Sequence, residues 1–239
     1  MKIDRWFYSV AGALFLVLML IGFRAFVASG TGAAGRVIDP VIFRVDLVHG
    51  LAIASWYVLF FIQSLLIASR NRQLHLKLGW SSVAVGLAIA VTGPWVAIRS
   101  VQITPPGVHL FGMEYSRFLL VMLTEIALYT AFVTIAIFTR KKPRIHRAAM
   151  LLASLSLLSG ATARIPFLHL AFGDIGWVGL FGPVFVLGAL LLLIRGIQTR
   201  SFDRWFAAGY ACWVILYIAS EKLALTDAWS AMAAAILKL

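Results

Sequence analysis

Charge is what this sequence has least of. Asp, Glu, Lys and Arg make up 13% of its 239 residues, whereas a soluble domain carries about 25%; a water-facing surface could not be built from so few. Acidic residues are the scarcer kind, nine against 21 Lys and Arg, which leaves a formal net charge of +12. A single cysteine, Cys212, lies inside an apolar run, which excludes an intrachain disulfide and any Cys-rich metal motif. The sequence holds no phosphate loop, dinucleotide fingerprint or nucleophile elbow, which argues against soluble-cofactor chemistry. Nor does any pair of interrupted apolar segments suggest the broken helices of a transporter.

Hydrophobic residues fill the space instead, at 62% of the chain with a mean hydropathy of +0.95. A hydrocarbon core of about 30 Å takes roughly 20 apolar residues per helix. Seven such runs can be marked, near 6–28, 45–69, 76–98, 117–139, 147–170, 175–195 and 203–224. They predict an all-α integral membrane protein of about seven transmembrane helices. The first run is longer than the roughly 7–15 residues of a secretory signal core and has no small-x-small cleavage site, so it reads as a retained span. Residues 225–239 are too few for an eighth span and are expected along the interface.

The basic residues sit in short turns between runs. Lys2, Arg5, Arg70, Arg72, Lys77, Arg140, Lys141, Lys142, Arg144, Arg147, Arg195, Arg200 and Arg204 place 13 of the 21 on one side. Positive-inside bias assigns that side to the cytoplasm, with the N-terminus inside, the C-terminus outside and a bacterial inner membrane as the location. The opposite side holds the connections 29–44 and 99–116 with Asp39, Asp46, Glu114 and Asp174. This distribution explains the basic charge by lipid phosphates and leaves no reason to expect nucleic acid.

Spans 2–5 look like two similar helical hairpins. Each turns through a basic cytoplasmic loop that delivers one histidine, His75 or His146, to the start of the returning helix. Behind His75 one face reads Gly79, Ser82, Gly86, Ala90 and Gly93; behind His146 it reads Ala149, Ala153, Ser156, Gly160 and Arg164. Residues three or four apart share a helix face. Such small-residue stripes are packing surfaces in most membrane helices; the alternative is a slot for a flat prosthetic group. The chain therefore divides, as one membrane domain, into 1–44 (first span and outer loop), a repeated core at 45–170, and 171–239 (last spans and tail).

Polar residues inside a membrane are costly, and each is a candidate site. On span 2, His49, Trp56, Gln63 and Arg70 recur every seven residues, with Asp46 on the same face. Glu125 on span 4 and Arg164 on span 5 fall at similar depth and are expected to pair. His49 and His169 form an outer level, His75 and His146 an inner one. Neutral imidazole is a good axial ligand for haem iron, and Arg70, Arg144 and Arg147 are placed to meet haem propionates.

These motifs resemble a family of uncharacterised bacterial membrane proteins. The shared positions are His49, Trp56, Gln63, His75, Gly79, Trp80, Pro143, His146, Arg147, Met150, Ala163, Arg164, Pro166, Phe167 and Leu168. More distantly, residues 45–170 are similar to four-helix cytochromes of the cytochrome b and ferric reductase type. That resemblance implies haem pairs of His75 with His146 and His49 with His169, although here two of the four histidines fall on span 5. Two readings stay open: an accessory or scaffold subunit of a larger membrane complex, contacting lipid or pigment, or a haem b electron-transfer protein. A membrane metal hydrolase would have to use Asp46, His49, His109, Glu114 and His169, and span 7 offers it no histidine. A rhodopsin would need a mid-membrane lysine, whereas Lys222 lies at the end of span 7.

Overall fold

The computed structural model describes residues 3–30, 40–110, 112–172 and 178–238. Among them, α1 (Phe7–Ser29), α2 (Pro40–Ala68), α3 (Arg72–Gln102) and α4 (Tyr115–Phe138) are long and continuous. Then come α5 (Pro143–Ser156), α6 (Ser159–Thr162), α7 (Pro166–Phe172), α8 (Val178–Thr199), α9 (Arg204–Ala224) and α10 (Asp227–Ile236). A two-residue hairpin of β1 (His109–Leu110) and β2 (Met113–Glu114) sits in the connection before α4. Five helices, α1–α4 and α8, are long and apolar enough to cross a bilayer, and six qualify if α9 and α10 are taken together across their 87° bend. The protein is therefore a membrane-embedded, all-α bundle.

Local sequence explains most helix ends. Asn71 caps α3 by accepting the Leu74 amide (3.1 Å), Asp203 caps α9 through Phe206 (3.2 Å), and Thr226 caps α10 through Trp229 (3.2 Å). Pro143 occupies the first turn of α5, where its missing N–H costs nothing. The turn between α2 and α3 needs a left-handed residue, Arg70 at φ 65°. The tail helix α10 is tied across the bundle end that carries the β-hairpin. The Arg117 guanidinium reaches the Leu225 carbonyl (2.6 Å), the Trp229 indole donates to the Arg117 carbonyl (3.1 Å), and Gln102 donates to Leu237 (3.0 Å).

Helices α2, α3, α4 and α5 pack in a ring, α2 on α3, α3 on α4, α4 on α5 and α5 back on α2, so α3 and α5 stand at opposite corners. α5 is the inner member: Ala148, Ala149 and every residue from Leu151 to Ser159 are buried. α9 covers α4 and α5, α8 lies on α6 and α7, and α1 packs along α2 and onto α6. Across the other diagonal, the rings of Trp56 and Tyr129 meet edge-to-face at 5.0 Å.

The two hairpins differ in their second helices. α3 runs 31 residues without interruption despite Pro94, whereas the expected span at 147–170 is three short pieces. The expectation of a continuous helix there is corrected by this geometry.

Candidate functional site

The interruption of the fifth span is where the bundle gathers its polar side chains. After Ser156 the backbone tightens, and the Leu158 amide bonds to Leu155 instead of to the Ser154 carbonyl it would meet in a regular helix. A backbone carbonyl freed at membrane depth must find another donor. The Tyr57 hydroxyl supplies it, at 3.0 Å. The neighbouring Trp56 indole donates to the Ser154 hydroxyl (3.1 Å), which in turn donates to Met150 (3.0 Å). Ser156 bonds back to Ala153 (2.9 Å), its side chain occupying a carbonyl the broken helix leaves open, and Thr162 bonds back to Ser159 (3.1 Å). Ser154→Ala should therefore leave the buried Trp56 N–H without its acceptor. We expect a loss of about 1–2 kcal/mol, read as a lowered midpoint in an SDS titration followed by helical circular dichroism.

Charged residues surround the same break. The Glu125 carboxylate accepts a hydrogen bond from the Ser159 hydroxyl. The Arg164 guanidinium caps the end of α6 by donating to the Gly160 carbonyl (2.5 Å), and it lies 4.8 Å from the centre of the Phe23 ring on α1. The expected Glu125–Arg164 couple is thus corrected in detail. Each group takes a partner at the break, because the freed backbone and hydroxyl are nearer than the opposite charge. Asp46, Glu125 and Tyr115 remain within electrostatic reach of Arg164, as Tyr57 and Tyr217 are of Glu125.

A second cluster sits at the other end of the ring. Gln63 is buried and both of its amide atoms lack partners among the described residues. His75 lies beside the Gln63 backbone and within electrostatic reach of His146, and its Nδ1 is buried without a partner. His146 Nδ1 meets the Ala136 carbonyl at 2.9 Å. A carbonyl only accepts, so Nδ1 carries a proton, and only in the neutral ring would Nε2 present a lone pair. The inner histidines thus lie on opposite corners of the ring within electrostatic reach of each other. Of the three expected arginines, Arg70 and Arg144 are exposed, while Arg147 donates to the Pro143 carbonyl (3.1 Å) and lies 5.6 Å over the Tyr8 ring.

The outer level is not assembled in the same way. His49 Nδ1 meets the Thr92 hydroxyl at 2.8 Å. Thr92 spends its only proton on the Ala88 carbonyl (2.7 Å), so His49 is the donor and its Nε2 is likewise free. The side chain of His169 lies outside the described residues, as does Asp174. His109 is exposed in the hairpin and bonds to Gly107 (2.9 Å). Among the described residues no three His, Cys, Asp or Glu side chains converge as metal ligands. The small-residue stripe of α3 is largely a packing surface: a methyl at Gly86 would touch Val133, Tyr129 and Trp56, and one at Gly93 would collide with Ile126. At Gly79 nothing lies within 4 Å of such a methyl.

Sequence reasoning missed the supporting residues Tyr57, Ser154, Ser159 and Tyr217. The density of Ser and Thr between 154 and 162, followed by Pro166, was the available signal. Fold and site define a membrane-embedded helical bundle with an interrupted helix packed inside it. No family model matches the chain, no curated protein matches it, and no solved structure matches it either.

Proposed function

We propose that this chain is a haem b-binding electron-transfer protein of the bacterial inner membrane, with His75 and His146 as the axial ligands. The observation that carries the reading is that these two imidazoles start opposite ring corners, α3 and α5, within electrostatic reach of each other. The Ala136 carbonyl supports it by holding His146 in one tautomer with Nε2 open, as metal-binding histidines are commonly held. Arg70 in the α2–α3 turn and Arg144 at the start of α5 are exposed nearby to meet propionates. Seven passes, with the N-terminus in the cytoplasm and the C-terminus outside, fit the charge of the turns, and the interrupted fifth segment counts as one pass.

The test is a reduced-minus-oxidised absorption spectrum of the full chain purified in detergent. An α-band near one haem per chain is expected, and His75→Ala and His146→Ala should each remove it. A spectrum without Soret or α-bands, or bands that survive both substitutions, refutes the assignment.

A second reading, an accessory subunit of a larger membrane complex, draws on the outer face of α4. Ala127 and Ala131 there are exposed and separate two open apolar grooves of ≈ 600 and ≈ 460 Å³. Small residues four apart let a partner's transmembrane helix approach closely. Native gels of mildly solubilised membranes should show a complex that Ala127→Phe disperses; a monomer in both lanes refutes this reading.

A further inference from the structure

We propose that one corner of the bundle binds the phosphate of an anionic phospholipid, with Arg147 and Tyr8 as its donors. There the N-terminal turn Ile3–Trp6, the start of α5 and the α8–α9 connection meet. The haem reading uses neither residue, so the two claims stand or fall separately.

Tyr8, in the first turn of α1, carries a guanidinium from each of two other helices. The guanidinium carbon of Arg147 lies 5.6 Å from the centre of its ring, and that of Arg195, near the end of α8, lies 5.4 Å from it. Arg195 is buried and also sits 5.4 Å over Phe7, whose own ring meets Tyr8 edge-on at 5.1 Å. Such contacts hold a guanidinium in place over a ring. They do not cancel its charge.

The countercharge at this corner is already committed. One carboxylate oxygen of Asp203 lies 3.8 Å from Arg195 Nε, and the other accepts the Phe206 amide at 3.2 Å. Among the described side chains no carboxylate pairs with Arg147. Its Nε donates to the Pro143 carbonyl (3.1 Å), which fixes the fork, while its two outer nitrogens have no acceptor among the described residues. Those nitrogens are not sealed from the surface, and neither is the Tyr8 hydroxyl, which also lacks a hydrogen-bond partner there. A planar guanidinium can donate to two phosphate oxygens at once, and the phenol adds a third donor. The site is therefore held in shape before any anion arrives.

The surroundings favour a lipid over a soluble phosphate. Arg5 and Arg204 are exposed, and each lies over an exposed tryptophan, Trp6 at 5.5 Å and Trp205 at 5.2 Å. Tryptophan rings in a membrane protein gather at headgroup level. With Arg200, five arginines in these segments outnumber the two acids, Asp4 and Asp203. Basic charge at headgroup depth attracts anionic lipid. A phospholipid is brought to that depth by its own acyl chains, whereas a soluble phosphate must be drawn out of water.

The test is native mass spectrometry of the full chain in detergent, incubated with phosphatidylglycerol or phosphatidylcholine. Wild type should retain phosphatidylglycerol about fivefold more often than phosphatidylcholine at equal concentration. Arg147→Gln should cut phosphatidylglycerol retention about fivefold. Arg44→Gln, which removes an exposed arginine where α2 starts beside the end of α1, should leave retention unchanged. Tyr8→Phe keeps the ring under both guanidiniums and removes only the hydroxyl, so it should fold as wild type does and lower retention about twofold. If Arg147→Gln does not fold, Tyr8→Phe decides alone. Equal retention of the two lipids, a folded Arg147→Gln or Tyr8→Phe variant that binds as wild type does, or an equal loss in Arg44→Gln overturns the proposal. Excess inorganic phosphate should not displace the lipid; displacement would make this a site for soluble phosphate and overturn the lipid assignment.

Discussion

Gly22→Leu should lower the stability of the bundle by several kcal/mol and loosen α1 from the break it covers. A Cβ on Gly22 would lie 2.8 Å from the carbonyl carbon and 2.9 Å from Cα of Ala161, and closer still to its oxygen. All three are backbone atoms of α6, fixed by the interrupted helix, so no rotamer change relieves the clash. Overpacking a tight site costs about 1–3 kcal/mol when neighbours can shift, and here the whole of α1 must move. Leucine is the better helix former by nearly 1 kcal/mol, so any loss isolates the collision. Gly209 is the internal comparison. A Cβ there would meet Leu152 Cδ1, the free end of a flexible side chain, and Gly209→Ala should cost far less. The same approach of α1 lays Phe23 on Arg164, so displacement also uncovers a buried guanidinium. Midpoints of SDS unfolding, followed by circular dichroism, give the order Gly22→Leu, Gly22→Ala, Gly209→Ala from least to most stable; equal midpoints for the two glycines would refute it.

That role of α1 was invisible in the sequence, where the first run reads as an anchor. Hydropathy reports how much apolar chain is present, and it located α1 to α4 and α8 within a few residues. It does not report backbone hydrogen bonds. The run 147–170 looks continuous because Leu157 and Leu158, at the break itself, are as apolar as any helix centre. What interrupts the helix comes from elsewhere: Tyr57 and Trp56 of α2 and Glu125 of α4 supply the partners that make an irregular backbone tolerable. The spacing of Trp56 and Gln63 on span 2 was readable, and both are buried. The depth match of Glu125 and Arg164 was readable too, but their choice of Ser159 and Gly160 depends on groups exposed only by the break.

Trp56→Ala should be the most damaging truncation in the ring, and the membrane changes why. Trp56 is 1% exposed, packs edge-to-face on Tyr129, lies over Gly86 and donates to Ser154. In water its removal would cost both transfer and cavity terms. Within a bilayer the separated helices already sit in an apolar medium, so the transfer term largely cancels and packing decides. An indole cut back to a methyl vacates roughly 140 Å³, and at about 24 cal/mol per Å³ the unfilled cavity costs about 3 kcal/mol. Trp56→Phe separates the terms, because it keeps most of the volume and loses the N–H. It should cost about 1 kcal/mol, close to Ser154→Ala, and the double variant Trp56→Phe/Ser154→Ala should cost little more than either alone, since both delete one bond. Cavity and hydrogen bond are then measured on the same unfolding titration. Additive single and double losses would show that the indole is not bound to the break, and that α2 does not hold the interrupted helix as described.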